Sequence, residues 1–200
     1  MTYRPSDRVS ITNDGYVGPE NPTDESIIRF YDDLNAQVLL HKKKSGVVRS
    51  VALSGLFDFG WETPGRKSTP PGSARIGGML GGRIEWPLGI STALRADTFW
   101  DEGQVLVPAF PVGSKYVRPF TGTPFLGTGL AATLDVLPSP WLLVRIEYMH
   151  RESNIPLFSG QQGITGPNGV LPKTDAEAAM FTPDLRKVDD RAILALILRL

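Results

Sequence analysis

Cysteine is absent from the chain, which excludes a disulfide framework and thiol chemistry. Histidine is scarce: His41 and His150 are the only two, and neither belongs to an H-x-x-H or paired-carboxylate spacing of the kind that holds zinc. There is no excess of charge of either sign, since 21 lysines and arginines balance 21 aspartates and glutamates. A chain with zero net charge lacks the basic footprint expected of a nucleic-acid partner. No apolar run of about 18 residues occurs, so no transmembrane helix is encoded. That absence says nothing about transmembrane β-strands, which need about 9–11 residues with only every second one apolar. The opening MTYRPSDRVS has no basic-then-apolar export signal. The expectation is a chain that is either not exported or lacks its true beginning.

Catalytic signatures are missing as well. Nothing resembles a G-x-S-x-G nucleophile turn. GTGLAA, from Gly127, matches G-x-G-x-x-A in letters only. A dinucleotide site needs that motif between a strand and a helix, and here it lies inside an alternating run. The expectation is no catalytic residue, no metal and no cofactor. HKKKSG, from His41, reads as a solvated basic turn.

What the sequence has in quantity is glycine and proline, 21 and 17 residues, together with period-two alternation, the mark of strands joined by turns. In PWLLVRIEYMH, Pro140 to His150, one set is Leu142, Val144, Ile146 and Tyr148, and the other is Leu143, Arg145, Glu147 and Met149. The same division of oil from charge recurs along the chain. Phe30 and Leu34 alternate with Arg29 and Asp33, and Leu53 and Phe57 with Ser54 and Asp58. Ile76 and Leu80 oppose Arg75, Arg83 and Glu85; Leu94 opposes Arg95 and Asp97; Leu130 and Leu134 oppose Asp135; Leu194 and Leu196 oppose Arg191 and Arg199. Eight strands are expected within one domain spanning residues 1–200. The connections alternate between short (near 41–46, 85–89 and 136–141) and long (near 18–26, 62–72, 101–124 and 151–187). An antiparallel up-and-down sheet with short turns at one end and long loops at the other gives this pattern, as in an outer-membrane barrel.

Alternation alone does not say which face is inside. Three features favour a wet lumen and an outward apolar face. The apolar faces are long enough for a lipid band of about 25 Å. Many positions on the charged face are small, such as Gly77, Gly81, Gly127, Gly129 and Ala131. The tryptophans, Trp61, Trp86, Trp100 and Trp141, fall at strand ends with Tyr148 nearby, as interfacial aromatics do. The fold class expected is thus all-β, an antiparallel up-and-down transmembrane barrel of about eight strands. Because eight strands alone close around a packed interior, they are expected to be part of a larger barrel. YRPSD, Tyr3 to Asp7, reads as an interior turn whose preceding strand is absent, making the chain a C-terminal portion. The competing expectation is a soluble calyx for a hydrophobic ligand, with Leu142, Val144 and Ile146 pointing inward.

The segments YRPSDRVSITNDGYVGPE, ALRADTFWDEG, LLVRIEYMHRESNIPLF and DLRKVDDRAILALILRL, in that order, resemble the OmpL-like β-barrel porins of Gram-negative bacteria. The likeness spans nearly the whole chain and rests on the order of the motifs more than on any one of them. Members of that family are longer, with a signal peptide and more strands. The resemblance implies a cell outer-membrane location and passive diffusion of small polar solutes or ions, with no chemical step. On this reading the pore-lining candidates are Arg29, Asp33, Arg75, Arg83, Glu85, Arg95, Asp97, Asp135, Arg145, Glu147, Arg191 and Arg199. Seven arginines against five acids give a mild preference for anions. The same charges could instead hold the sheet together as cross-strand pairs. The loop 101–124 is expected either to fold inward as a constriction or to lie on the surface. The partners expected are the outer-membrane bilayer, small polar solutes and a second copy of the chain, with no nucleic acid.

Overall fold

A computed structural model describes residues 1–19, 26–63, 73–103, 110–112, 115–117, 123–160, 174, 176 and 184–198. Its elements are β1 (Thr2–Ser6), β2 (Val9–Pro19), β3 (Ile28–Lys42), β4 (Ser50–Glu62), β5 (Ser73–Glu85), β6 (Ile90–Asp101), β7 (Phe110–Val112), β8 (Lys115–Val117), β9 (Phe125–Ser139), β10 (Leu142–Ser153), β11 (Phe158–Ser159), β12 (Leu185–Arg186) and β13 (Val188–Leu198). Nine of them form one sheet in the order β1-β2-β3-β4-β5-β6-β9-β10-β13, and every pairing in it is antiparallel. β7 with β8 and β11 with β12 make two small two-stranded sheets within the long connections. Alternating short and long connections are observed throughout, as the sequence predicts.

Two expectations are corrected. The sheet is not a closed barrel: among the described residues, β1 and β13 are its two edges and nothing joins them. It has nine strands rather than eight, because Thr2–Ser6 is a strand paired to β2, with the turn only at Asp7 and Arg8. Pro5 made this stretch read as a turn, yet an edge strand tolerates proline because its outer N–H has no ladder partner to lose. Most of loop 101–124, the GPNG stretch, most of the DAEAAM stretch, and Arg199 lie outside the described residues.

The sheet curls. Arg4 and Asp7 of the first hairpin line the same cavity as Thr133 of β9 and Glu147 of β10, although these strands stand far apart in the sheet order. On the concave side the buried groups are largely polar: Arg75, Ser91, Asp101, Asp135 and Ser153. On the convex side the apolar residues are exposed, Leu94 to 70%, Ile146 to 51% and Leu196 to 68%. The only core cluster formed by buried apolar side chains among the described residues is small. It pairs Phe125 with Ile155, against which Phe99 and Leu157 pack.

The apolar band crosses the sheet diagonally. One hydrogen-bonded row runs from Arg145 through Asp135, Ser91 and Glu85 to Ser50. On β10 the outward apolar set, Leu142 to Tyr148, is centred on that row. On β4 the equivalent set, Val51 to Trp61, is centred near Leu56, about six residues further toward the long-loop end. That drift is roughly 20 Å along the strand over roughly 19 Å of sheet, taking about 3.3 Å per residue and about 4.8 Å per strand. The band is level only when the strands incline by about 45° to its normal.

The β5–β6 turn carries local strain. Pro87 presets its own φ, and Leu88 and Gly89 follow at φ 62° and 72°. A Cβ on Gly89 would lie 2.7 Å from the Leu137 carbonyl oxygen, so glycine is required there. Leu88 has no such reason to be leucine. Replacing it with asparagine, which tolerates the left-handed region, raises unfolding stability by up to about 1 kcal/mol, whereas Gly89→Ala lowers it by more than about 1 kcal/mol. Urea unfolding of the two variants against the parent chain measures both effects.

Candidate functional site

The register collects the charges of distant strands on the concave face. Arg29, Asp33, Arg75, Arg83, Glu85, Arg95, Asp97, Asp135, Arg145, Glu147 and Arg191 all share it, because each is an even number of positions from its strand's crossing of one set of rows. Within the face they form separate groups. At the short-turn end Asp135, 3% exposed, accepts from Arg145 Nε at 2.8 Å and Nη2 at 3.0 Å. It also accepts from Arg83 Nη1 at 3.2 Å. Arg83 Nη2 donates to Ser91 Oγ at 2.7 Å, so this group ties β5, β6, β9 and β10 together. Glu147 accepts from Thr133 Oγ1 at 2.9 Å, and Glu85 accepts from Ser50 Oγ at 2.7 Å.

Toward the long loops, Glu62 accepts from Arg29 and, at 3.5 Å, from Arg75 Nη1. Arg75 is 3% exposed and lies over Gly60, where any Cβ would strike its Nε. Arg151 Nη2 donates to Asp189 at 2.5 Å, and Arg191 Nε meets the same carboxylate at 2.8 Å. Midway, Arg95 Nε pairs with Asp97 at 3.2 Å, and Gly129 leaves the room that Asp97 occupies, with Oδ2 2.6 Å from where a Cβ would be. Asp14, Asp33 and Asp58 stand opposite one another in a single row across β2, β3 and β4. Like charges so placed work against the ladder in which they stand.

The convex face carries Phe30, Trp61, Trp86, Trp100 and Tyr148. Trp61 and Trp100 stand at the long-loop ends of β4 and β6, with Phe30 5.8 Å from Trp61 between ring centroids. At the other end are Trp86, whose Nε1 donates to Thr92 Oγ1 at 3.0 Å, and the exposed Trp141 in the β9–β10 turn. Tyr148 is outward, and its hydroxyl donates to Asp190 Oδ1 at 2.6 Å, a carboxylate that also meets His150 Nδ1 at 2.8 Å.

Sequence reasoning missed Arg4, which it placed in a turn, Asp7 and Arg8, whose place on the cavity no local pattern shows, and Glu62 and Asp101, which it placed in loops. It also missed Arg151 and Asp189. The parity that found Arg145 would have found Arg151 had it been carried six residues further, and the parity of Arg191 would have found Asp189 two residues earlier. No group of three or more potential metal ligands occurs among the described residues. The face presents charged side chains, some paired and some not, that polar groups can contact directly.

No family model, no curated protein and no solved structure matches this chain.

Asp135 is the common acceptor of two guanidinium groups, so its neutralisation unbinds both. Asp135→Asn destabilises the sheet by about 2 kcal/mol. In a double-mutant cycle with Arg145→Gln, the two changes are less than additive. Additive effects in urea unfolding would show that the pair is not formed.

Proposed function

We propose that this chain forms part of an outer-membrane β-barrel of porin type, which holds open a water-filled path for small polar solutes or ions. The observation that carries this reading is the inverted polarity of the curled sheet: charged and small residues on the concave side, exposed leucines and aromatics on the convex side. In a soluble sheet wrapped around a core the assignment is the reverse. Three features support it: the inclination of about 45° that a level apolar band would require, against about 35–45° for membrane barrels; aromatics at both ends of the band; and short turns at one end with long loops at the other. The calyx alternative requires Ile146 and its neighbours to point into a dry interior, and Ile146 is instead on the exposed convex face.

Strand parity bears on closure. Nine alternating strands leave β1 and β13 running parallel, so joining them directly makes one parallel pair. A second copy inserted in the same orientation brings β13 of one against β1 of the other, again parallel. Closure with antiparallel pairs throughout takes an odd number of further strands, giving the even count usual in bacterial barrels. A strand as long as β13 with one unpaired edge calls for a partner of this kind.

The two environments for the convex face give opposite outcomes for a charge placed on it. Leu94→Arg at the middle of the band costs about 2–4 kcal/mol if lipid covers it, and within about 0.5 kcal/mol if water does. Unfolding measured in lipid vesicles distinguishes the two. Wild-type chain reconstituted into a planar bilayer carries ionic current. A chain that stays monomeric with a fixed fold in plain buffer and carries no current would falsify the proposal.

A further inference from the structure

A cavity of about 710 Å³ lies on the concave face beneath the first hairpin. Its charged lining is Arg4, Arg8, Arg83 and Arg95 against Asp7 and Glu147, an excess of positive charge. Two of the arginines are engaged elsewhere, Arg83 with Asp135 and Arg95 with Asp97. Arg4 and Arg8 make no side-chain hydrogen bond or ion pair to a described residue. Their strand and turn therefore present two uncommitted guanidinium groups to the cavity. Glu147 accepts from the Thr133 hydroxyl and makes no ion pair with either of them.

From this lining we infer that the cavity is a binding site for small oxyanions, carboxylate- or phosphate-bearing, held chiefly by Arg4 and Arg8. The inference rests on the reading that this face lines a water-filled bore, and it names the solute class that the bore favours. A guanidinium fork matches the two oxygens of a carboxylate or phosphate. The volume falls in the range of about 300–1,000 Å³ usual for small-ligand sites. The arginines lie toward the short-turn end, whereas the row of Asp14, Asp33 and Asp58 lies toward the long loops.

The test uses citrate and the full chain refolded in detergent, with binding read by titration calorimetry. Wild type binds citrate. Arg4→Ser/Arg8→Ser weakens binding by about tenfold or more, and Lys43→Ser/Lys44→Ser, in a basic turn outside the cavity, leaves it unchanged. If the serine pair does not fold, Arg4→Gln/Arg8→Gln carries the same expectation. No citrate binding by wild type, or equal affinity in the arginine variants, overturns the proposal. Planar-bilayer current separates it from the pore reading. A chain that conducts but binds no citrate overturns the cavity site and keeps the pore. A chain that binds citrate through Arg4 and Arg8 but carries no current keeps the site and removes the pore.

Discussion

Every second side chain of a strand points the same way, and this period of two governs everything else in the sheet. Once the backbone ladders are made, each strand exposes two faces that can be given opposite chemistry. Here the concave face receives the ions and the convex face the leucines. The arrangement leaves almost no apolar interior. Phe125 and Ile155 form the small buried cluster, whereas Leu94, Leu194 and Leu196 are exposed among the described residues. Covering those side chains by a medium outside the sheet would add about 25 cal/mol per Å² of favourable transfer. Under the proposed function that medium is lipid.

Gathering charge on a curled face creates a second demand. A buried carboxylate or guanidinium is costly unless paired and hydrogen-bonded. Asp135 answers it with two arginines from two strands, and Glu62 with Arg29 and Arg75. Glycine makes this possible by leaving space: Arg75 lies across Gly60 and Asp97 beside Gly129. Small residues and long charged ones are therefore two halves of one packing solution. Where pairing is incomplete, at Arg4 and Arg8, charge remains available for a solute.

The mixture of paired and unpaired charges also explains why the face reads ambiguously as a site. The cross-strand pairing that holds a sheet together and the charge that lines a polar path are made by the same residue types. Arg145 belongs to the first role, since Asp135 occupies its fork. Asp14, Asp33 and Asp58 stand opposite one another in one row, an arrangement that works against the first role.

Which residues share a face was legible in the sequence, because parity along a strand needs no knowledge of neighbours: Leu142, Val144 and Ile146 stand on one side and Arg145 and Glu147 on the other whatever the sheet does. Strand ends were less legible. Glu62, Asp101 and Arg151 extend their ladders into stretches that composition assigns to loops, because pairing with an adjacent strand continues alternation past the last leucine. Pro5 concealed β1 for the same reason, since only its edge position makes a proline acceptable there. The sequence by itself determined eight of the sheet's nine strands, their faces and the alternation of turn lengths, all of which follow from local periodicity. Only the tertiary structure decided the register that joins Arg83, Asp135 and Arg145, the curl that brings Arg4 and Arg8 over β9 and β10, and the open edges at β1 and β13. Those depend on hydrogen bonds and contacts between strands far apart in the chain, which no local pattern encodes.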